Sequence, residues 1–212
     1  MVETSVGAAV GLRERKKRRT RATLIDAAVQ LCLDQGYDNT TVEQIAAVAE
    51  VSPRTFSRYF PTKDAVVLTL LEELVVHVAD ELDTIPYDVP VFEAFRRAHV
   101  NVLGAVSSGG VPGLTSERIV LMLRIVNSTP ALRAAATEFK PRATLEALAD
   151  RLGVDVDDRR VELVTAVWGA VIVTACGDLV DDRDGLELGP DLMVQRISEA
   201  FQQFAELTAG LT

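Results

Sequence analysis

The sequence predicts an all-α fold in two parts, a small N-terminal helical unit joined by a long helix to a larger C-terminal helical bundle. Three observations carry this reading. Apolar residues recur at helical spacing in nearly every segment from Leu24 to Phe204, no stretch shows the alternation of a half-buried strand, and Gly, Pro and Ser clusters fall mainly between the periodic segments. A chain of 212 residues is long enough for one or two compact cores but leaves no room for a second large domain. The expected division is 1–12 as a disordered tail, 13–64 as the first unit, and 65–212 as the second.

Residues 1–12 carry no periodic pattern. A basic run follows, Arg13, Arg15, Lys16, Lys17, Arg18, Arg19 and Arg21, and leads into a helix in which Leu24, Ala27, Ala28, Leu31 and Cys32 share a face and Gly36 supplies the stop. Thr41 with Gln44 three residues on reads as a capping box, so a short helix begins there. Glu50 and Val51 form a tight link. Ser52 followed by Pro53 is a second start signal, because a Ser hydroxyl can accept an orphan N–H while proline sits without strain at the first helical position. Two short helices joined in this way, the second ending at Phe60-Pro61, have the layout of a DNA-binding helix-turn-helix.

On the second of these helices Arg54 and Arg58 are four apart and share a face, while Phe56 and Phe60 share another that can pack inward. Ser52, Pro53, Arg54, Thr55, Arg58 and Tyr59 are therefore assigned to the DNA side. Thr41 and Lys63, near helix N-termini, are assigned to phosphate, since the backbone N–H groups there already favour an anion. The basic run is assigned to phosphates as well, where it contributes affinity without sequence preference.

The stretch from Thr41 through Thr55-Phe-Ser-Arg-Tyr-Phe60 to Lys63-Asp64 resembles the start of TetR-family transcriptional regulators, with their "T…IA…AGVS…tlYryFpsKe" pattern, over roughly the first seventy residues and without a gap. The sequence departs from that pattern at Ser57, where an aromatic residue is usual, and at Glu50, where Gly is frequent. The resemblance implies a dimeric, sequence-specific DNA-binding regulator, expected to be a repressor that a small apolar or amphipathic inducer releases from a double-stranded, roughly palindromic DNA operator.

Thr62 is the expected N-cap of a long helix from Lys63 to about Leu82, with Val67, Leu70, Leu71, Leu74, Val78 and Leu82 as its buried stripe. Pro86 and Pro90 break the pattern. Phe92, Phe95, His99, Val102 and Val106 mark one face of the next helix, and Ser116 to Val126 forms another. A helix from Thr129-Pro130 should be kinked or split by Pro141 and closed by Gly153. Val161 to Val180 is expected to be one helix, with no charge from Leu163 through Gly177, followed by an acidic loop over Asp181–Asp191 and a last helix carrying Met193, Ile197, Phe201 and Phe204. A helix apolar all round must be covered on more than one side.

That uncharged helix is the best pointer to a ligand site. Thr165, Trp168 and Ile172 lie on one face, and with His99 they are the expected pocket residues, although a plain packed core gives the same pattern. With no Lys or Arg on those faces, an uncharged or weakly polar ligand is expected. Homodimerisation is expected through the last two helices, where Phe201 and Phe204 would otherwise add to an exposed apolar patch. A constitutive or architectural DNA-binding dimer without an inducer is the alternative.

Charge supports a localised rather than a global DNA contact. Through Asp64 there are ten Lys and Arg against eight Asp and Glu, and beyond it twelve against twenty-three. Cys32 and Cys176 suit small buried residues in a reducing cytoplasm, and the uncharged helical stretch from Leu163 through Gly177, fifteen residues, is short of the roughly 20 that span a bilayer. The expectation is a soluble cytoplasmic protein without a membrane partner. His77 and His99 are the only histidines and neither stands in a metal-ligand spacing; no nucleophile elbow or phosphate-cradling loop is present. Neither a catalytic residue, a metal nor a cofactor is expected.

Overall fold

A computed structural model describes residues 4–179 and 187–210. Among these the chain forms ten helices and no strand, and it divides into one compact unit that ends at Val67 and another that begins at Leu68.

In the first unit α1 (Thr4–Gln35), α2 (Val42–Val48) and α3 (Pro53–Tyr59) pack in chain order, α2 touching both of its neighbours. Leu24, Ile25, Ala28, Ile45, Ala46, Phe56 and Phe60 are buried. Gly36 ends α1 at a φ of 84°, a left-handed conformation that costs an L side chain but not glycine. The expected disordered tail is corrected over residues 4–12, which are helical and continuous with the basic run.

The second unit takes in most of α4 (Lys63–Thr84), followed by α5 (Val91–Ser107), α6 (Ser116–Ser128), α7 (Pro130–Glu138), α8 (Arg142–Leu152), α9 (Arg159–Cys176) and α10 (Pro190–Thr208). Thr62 Oγ1 accepts from the Ala65 N–H at 3.3 Å, as its position before α4 suggested. Leu70, Leu74, Val78 and Leu82 are buried and Leu71 is half-buried; the side chain of Val67 lies outside the described ones. Pro141 splits rather than kinks: α7 ends at Glu138 and α8 begins at Arg142, with Gly153 closing α8 at a φ of 64°. α5, α9 and α10 pack mutually, α7 and α8 lie on α9, and α6 touches α7 and α10.

Arg151 fastens the loop between α4 and α5 to α8. Its guanidinium donates to the carbonyls of Ile85 at 3.0 Å, Pro86 at 2.6 Å and Val89 at 2.9 Å, and lies over the Tyr87 ring. Such a fork satisfies three carbonyls of a proline-rich segment that makes few bonds of its own.

Two expectations in the second unit are corrected. α9 starts at Arg159 and stops at Cys176 rather than running from Val161 to Val180, because Asp158 caps its N-terminus by accepting from Arg160 N–H at 2.8 Å and Gly177 caps its end. Phe201 and Phe204 are half-buried within the chain rather than exposed: Phe204 meets Phe92 edge-on at 5.3 Å and Phe201 lies 6.3 Å from Trp168. The acidic loop expected over Asp181–Asp191 lies largely outside the described residues. Among the described residues no single helix is long and apolar enough to cross a membrane.

Candidate nucleic-acid interface and ligand cavity

The helix-turn-helix is built by local signals acting together. Thr41 Oγ1 accepts from Gln44 N–H at 3.3 Å while Gln44 Oε1 accepts from Thr41 N–H at 2.9 Å, so the capping box is complete. Ser52 Oγ accepts from Thr55 N–H at 3.1 Å and Pro53 occupies the first turn of α3. Between the two helices Val51 N–H reaches back to the Ala46 carbonyl at 2.9 Å, and Glu50 takes up a φ of 54°. This explains the frequency of Gly at that position in the resembling pattern, since a side chain in the left-handed region is strained by about 1 kcal/mol or more. Glu50→Gly should therefore raise the unfolding midpoint of the first unit, by an amount equivalent to about 1 kcal/mol less glycine's own entropy cost. Thermal unfolding that showed a lower midpoint would contradict this.

Phe56 and Phe60 face inward, with ring centroids 5.7 Å apart. α3 therefore turns Arg54, Ser57 and Arg58 outward, together with the exposed Ser52 and Pro53 at its start; Thr55 and Tyr59 are half-buried. Arg58 lies over the Tyr59 ring at 5.4 Å. Thr41 is exposed at the head of α2. Lys63 is placed differently. Its ammonium donates to the carbonyls of Tyr37 at 2.7 Å and Thr40 at 3.1 Å and sits 4.0 Å from the Tyr37 ring centre, which leaves at most one of its three N–H donors for a phosphate. Tyr37 in turn donates to the Asp64 carboxylate, and burial followed by that hydrogen bond raises its phenol above the ordinary range. Lys63, Tyr37 and Asp64 thus tie the start of α4 to the turn after α1.

The basic run is part of α1. Arg13, Arg15, Lys16, Lys17, Arg18 and Arg19 are exposed, and Arg21 is half-buried with its guanidinium over Phe60 at 5.4 Å. Successive helical residues turn by about 100°, so the seven cations surround the helix instead of forming one stripe. Arg13, Lys17 and Arg21, four apart, share a face. If only one face meets the backbone, deleting residues 1–19 should reduce the slope of log affinity against log salt by about 2, since each phosphate contact contributes roughly 0.9. An unchanged slope would show that the run makes no phosphate contact.

The second unit holds a partly open cavity of about 180 Å³, many times the roughly 10–15 Å³ that one water needs. All four expected pocket residues, His99, Thr165, Trp168 and Ile172, line it, together with Leu71, Leu74, Val75 and Val78 of α4. Trp168 stacks on Phe95 with centroids 5.5 Å apart, and its Nε1–H points to His99 Nε2 at 3.5 Å. His99 Nδ1 lies 2.8 Å from the Phe95 carbonyl, an arrangement that suits a neutral ring with its proton on Nδ1. Burial lowers the His99 imidazole to about 4, opposed in part by the bond to Phe95. An unfolded chain binds that proton below about 6.5 and the folded one does not, so the native state loses stability as pH falls from about 6.5 towards 4. Relative to a His99→Asn variant, the protein should lose about 2 kcal/mol between pH 7 and pH 5, measured by denaturant unfolding. Parallel losses in both proteins would contradict the assignment. Cys176 also lines the cavity, its thiol pushed up to about 12 by burial, and both cysteines are free.

The expectation of an uncharged lining is corrected: Arg133 of α7 and Lys140 of the α7–α8 link both line the cavity. They belong to neither helix from which the lining was inferred; the folding of α7 and α8 onto α9 brings them there. Among the described residues no group of three or more His, Cys, Asp or Glu is arranged to hold a metal.

Comparison with known proteins agrees with this architecture. Residues 24–70 match the family of bacterial regulatory proteins described as the tetR family. The HTH-type transcriptional regulator TcmR of Streptomyces glaucescens is 40% identical over 166 residues, covering 76% of this chain and 73% of its own. The TetR-family repressor FadR of Thermus thermophilus, solved in complex with lauroyl-CoA, superposes with a TM-score of 0.56 at 21% identity, over 86% of this chain and 91% of that one. A TetR-family regulator from Pectobacterium atrosepticum superposes at 0.50 with 17% identity, over 91% of this chain and 96% of that one; at such identities these two likenesses concern the fold. With a helix-turn-helix whose caps are built as the sequence indicates and a relative of that identity over most of both chains, the protein belongs to the TetR family of transcriptional regulators.

Proposed function

We propose that this regulator is a dimeric, sequence-specific repressor that acts on a roughly palindromic operator in the cytoplasm and leaves it when a small amphipathic molecule occupies the cavity. Thr41, Ser52, Pro53, Arg54, Thr55, Arg58 and Tyr59 form the DNA side of each protomer, with the cations of α1 on flanking phosphates and Lys63 in a mainly structural role. The observation that carries the ligand-responsive reading over a constitutive one is the cavity itself, which has polar groups on an otherwise apolar wall.

α4 is the element through which the cavity can act. It begins at Lys63, bonded to the turn before α2, and its Leu71, Leu74, Val75 and Val78 line the cavity. A ligand can change DNA affinity only if it prefers one of two arrangements of that helix, because equal affinity for both shifts nothing. Dimerisation is assigned to α9 and α10. α9 leaves Leu163, 63% exposed, with Ala166, Ala170 and Thr174 on one uncovered face, and Leu207 of α10 is 81% exposed. Small and apolar residues on facing helices allow close packing of two copies.

The test begins with selection of bound DNA from a random pool, followed by a screen for compounds that release the best site. Trp168 is the chain's only tryptophan and lines the cavity, so its emission reports occupancy. A releasing compound should change that emission over the same concentration range in which DNA affinity falls. Release with flat emission, and with the response intact in Trp168→Phe, would sink the assignment of the cavity.

A further inference from the structure

The polar groups of the cavity divide into two sets. Most are satisfied within the protein: His99 by Phe95, Trp168 by His99, Thr165 Oγ1 by the Val161 and Glu162 carbonyls, and Asn127 Nδ2 by the carbonyls of Leu123 and Cys176. The others are not. Arg133 Nε is buried without a hydrogen-bond partner, and its guanidinium makes one long bond, from Nη2 to the Asn127 carbonyl at 3.3 Å. Thr144 is 8% exposed and its Oγ1 is buried and unpartnered. Lys140 makes no hydrogen bond or ion pair with any described residue. Among the described residues neither Asp nor Glu lines the cavity.

These three residues come from one stretch of the chain, where α7 turns into α8. There α8 begins at Arg142 behind Pro141, which offers no side-chain cap, so the N–H groups at the start of this 11-residue helix have no side-chain acceptor; that of Thr144 reaches the Pro141 carbonyl at 3.1 Å. A half-buried guanidinium without a carboxylate is costly, and a buried donor left unpaired costs more than its bond would contribute. Two cations, a free hydroxyl and an uncapped helix start around one otherwise apolar volume match an anion carried on a hydrophobic body. Arg is suited to a planar oxyanion because its N–H groups form a fork of fixed geometry.

We infer that the effector of this cavity is an amphipathic carboxylate, its oxyanion held by Arg133 and Thr144 with Lys140 at the rim and its hydrocarbon or aromatic body against Trp168, Ile172 and Leu74. This deepens the proposed function and rests on its assignment of the cavity as the effector site.

The test titrates full-length protein, without DNA, with decanoate and 2-naphthoate and with their neutral counterparts decanamide and 2-naphthamide, by calorimetry and Trp168 emission. Each carboxylate should bind about tenfold or more tightly than its amide, the size expected of one charge-assisted hydrogen-bonded pair. Arg133→Gln should reduce that preference to about threefold or less by weakening the carboxylates alone, while the amide affinities and the unfolding midpoint of the free protein stay level or rise. Amides that bind as tightly as the carboxylates, no carboxylate binding up to about 1 mM, or a preference unchanged in Arg133→Gln would each overturn the inference. If Arg133→Gln does not fold, Arg133→Lys keeps the charge and loses the fork; it should lower the preference, and an unchanged preference again overturns the inference. DNA release is measured separately. Carboxylates that bind through Arg133 without releasing operator DNA would leave the ligand class standing and contradict the proposed release.

Discussion

Phe56→Ala is expected to unfold the first unit and abolish DNA binding while the second unit keeps its fold. The ring is fully buried, packs 5.7 Å from Phe60, and is the residue through which α3 holds its register. Truncating a buried Phe costs about 3–5 kcal/mol, and a unit of some sixty-seven residues has a stability margin of about the same size. Hydrogen exchange is the appropriate measurement. Amides of residues 24–60 should lose protection while those of α5, α9 and α10 retain it. Retained protection in α2 and α3 would show that the aromatic pair is not their anchor.

Arg54→Ala should have the next largest effect, and one confined to function. Arg54 is exposed on the outward face of α3. If it reads a guanine edge with two parallel bonds, its removal costs about 1–3 kcal/mol of discrimination, roughly 5- to 150-fold against the selected site, and leaves affinity for random DNA almost unchanged. A phosphate contact would behave otherwise, weakening both alike and lowering the salt slope by about one. Comparing the variant on selected and random duplexes at two salt concentrations separates the two roles, and a uniform loss would remove Arg54 from base readout.

What could be read from the sequence was what is encoded within one turn of a helix. Thr41 with Gln44, Ser52 with Pro53, Thr62, Gly36 and Gly153 each act on their own neighbours, and each stands where its chemistry indicated. The helical state of residues 4–12 was not legible because Thr4, Ser5, Val6, Gly7, Val10 and Gly11 are poor helix formers. Thr165, Trp168 and Ile172 were legible because an uncharged helix must be covered, and His99 because it shares the apolar face of Phe92 and Phe95 on α5. Arg133, Lys140 and Thr144 were not, because their place depends on α7 and α8 folding back over α9, a long-range event that no local pattern encodes. The same holds for Phe201 and Phe204, whose neighbours Trp168 and Phe92 lie far away in sequence.

In the proposed mode of action, two copies of α3 read a two-fold symmetric site. Hydroxyl-radical footprinting on the best selected duplex, with and without a releasing compound, tests it most directly. Two equivalent protected segments are expected about one helical turn, some 34–36 Å, apart or a multiple of it, and they should fade together as the compound is added. A single asymmetric footprint, protection indifferent to sequence, or segments unaffected by a compound that fills the cavity would contradict it.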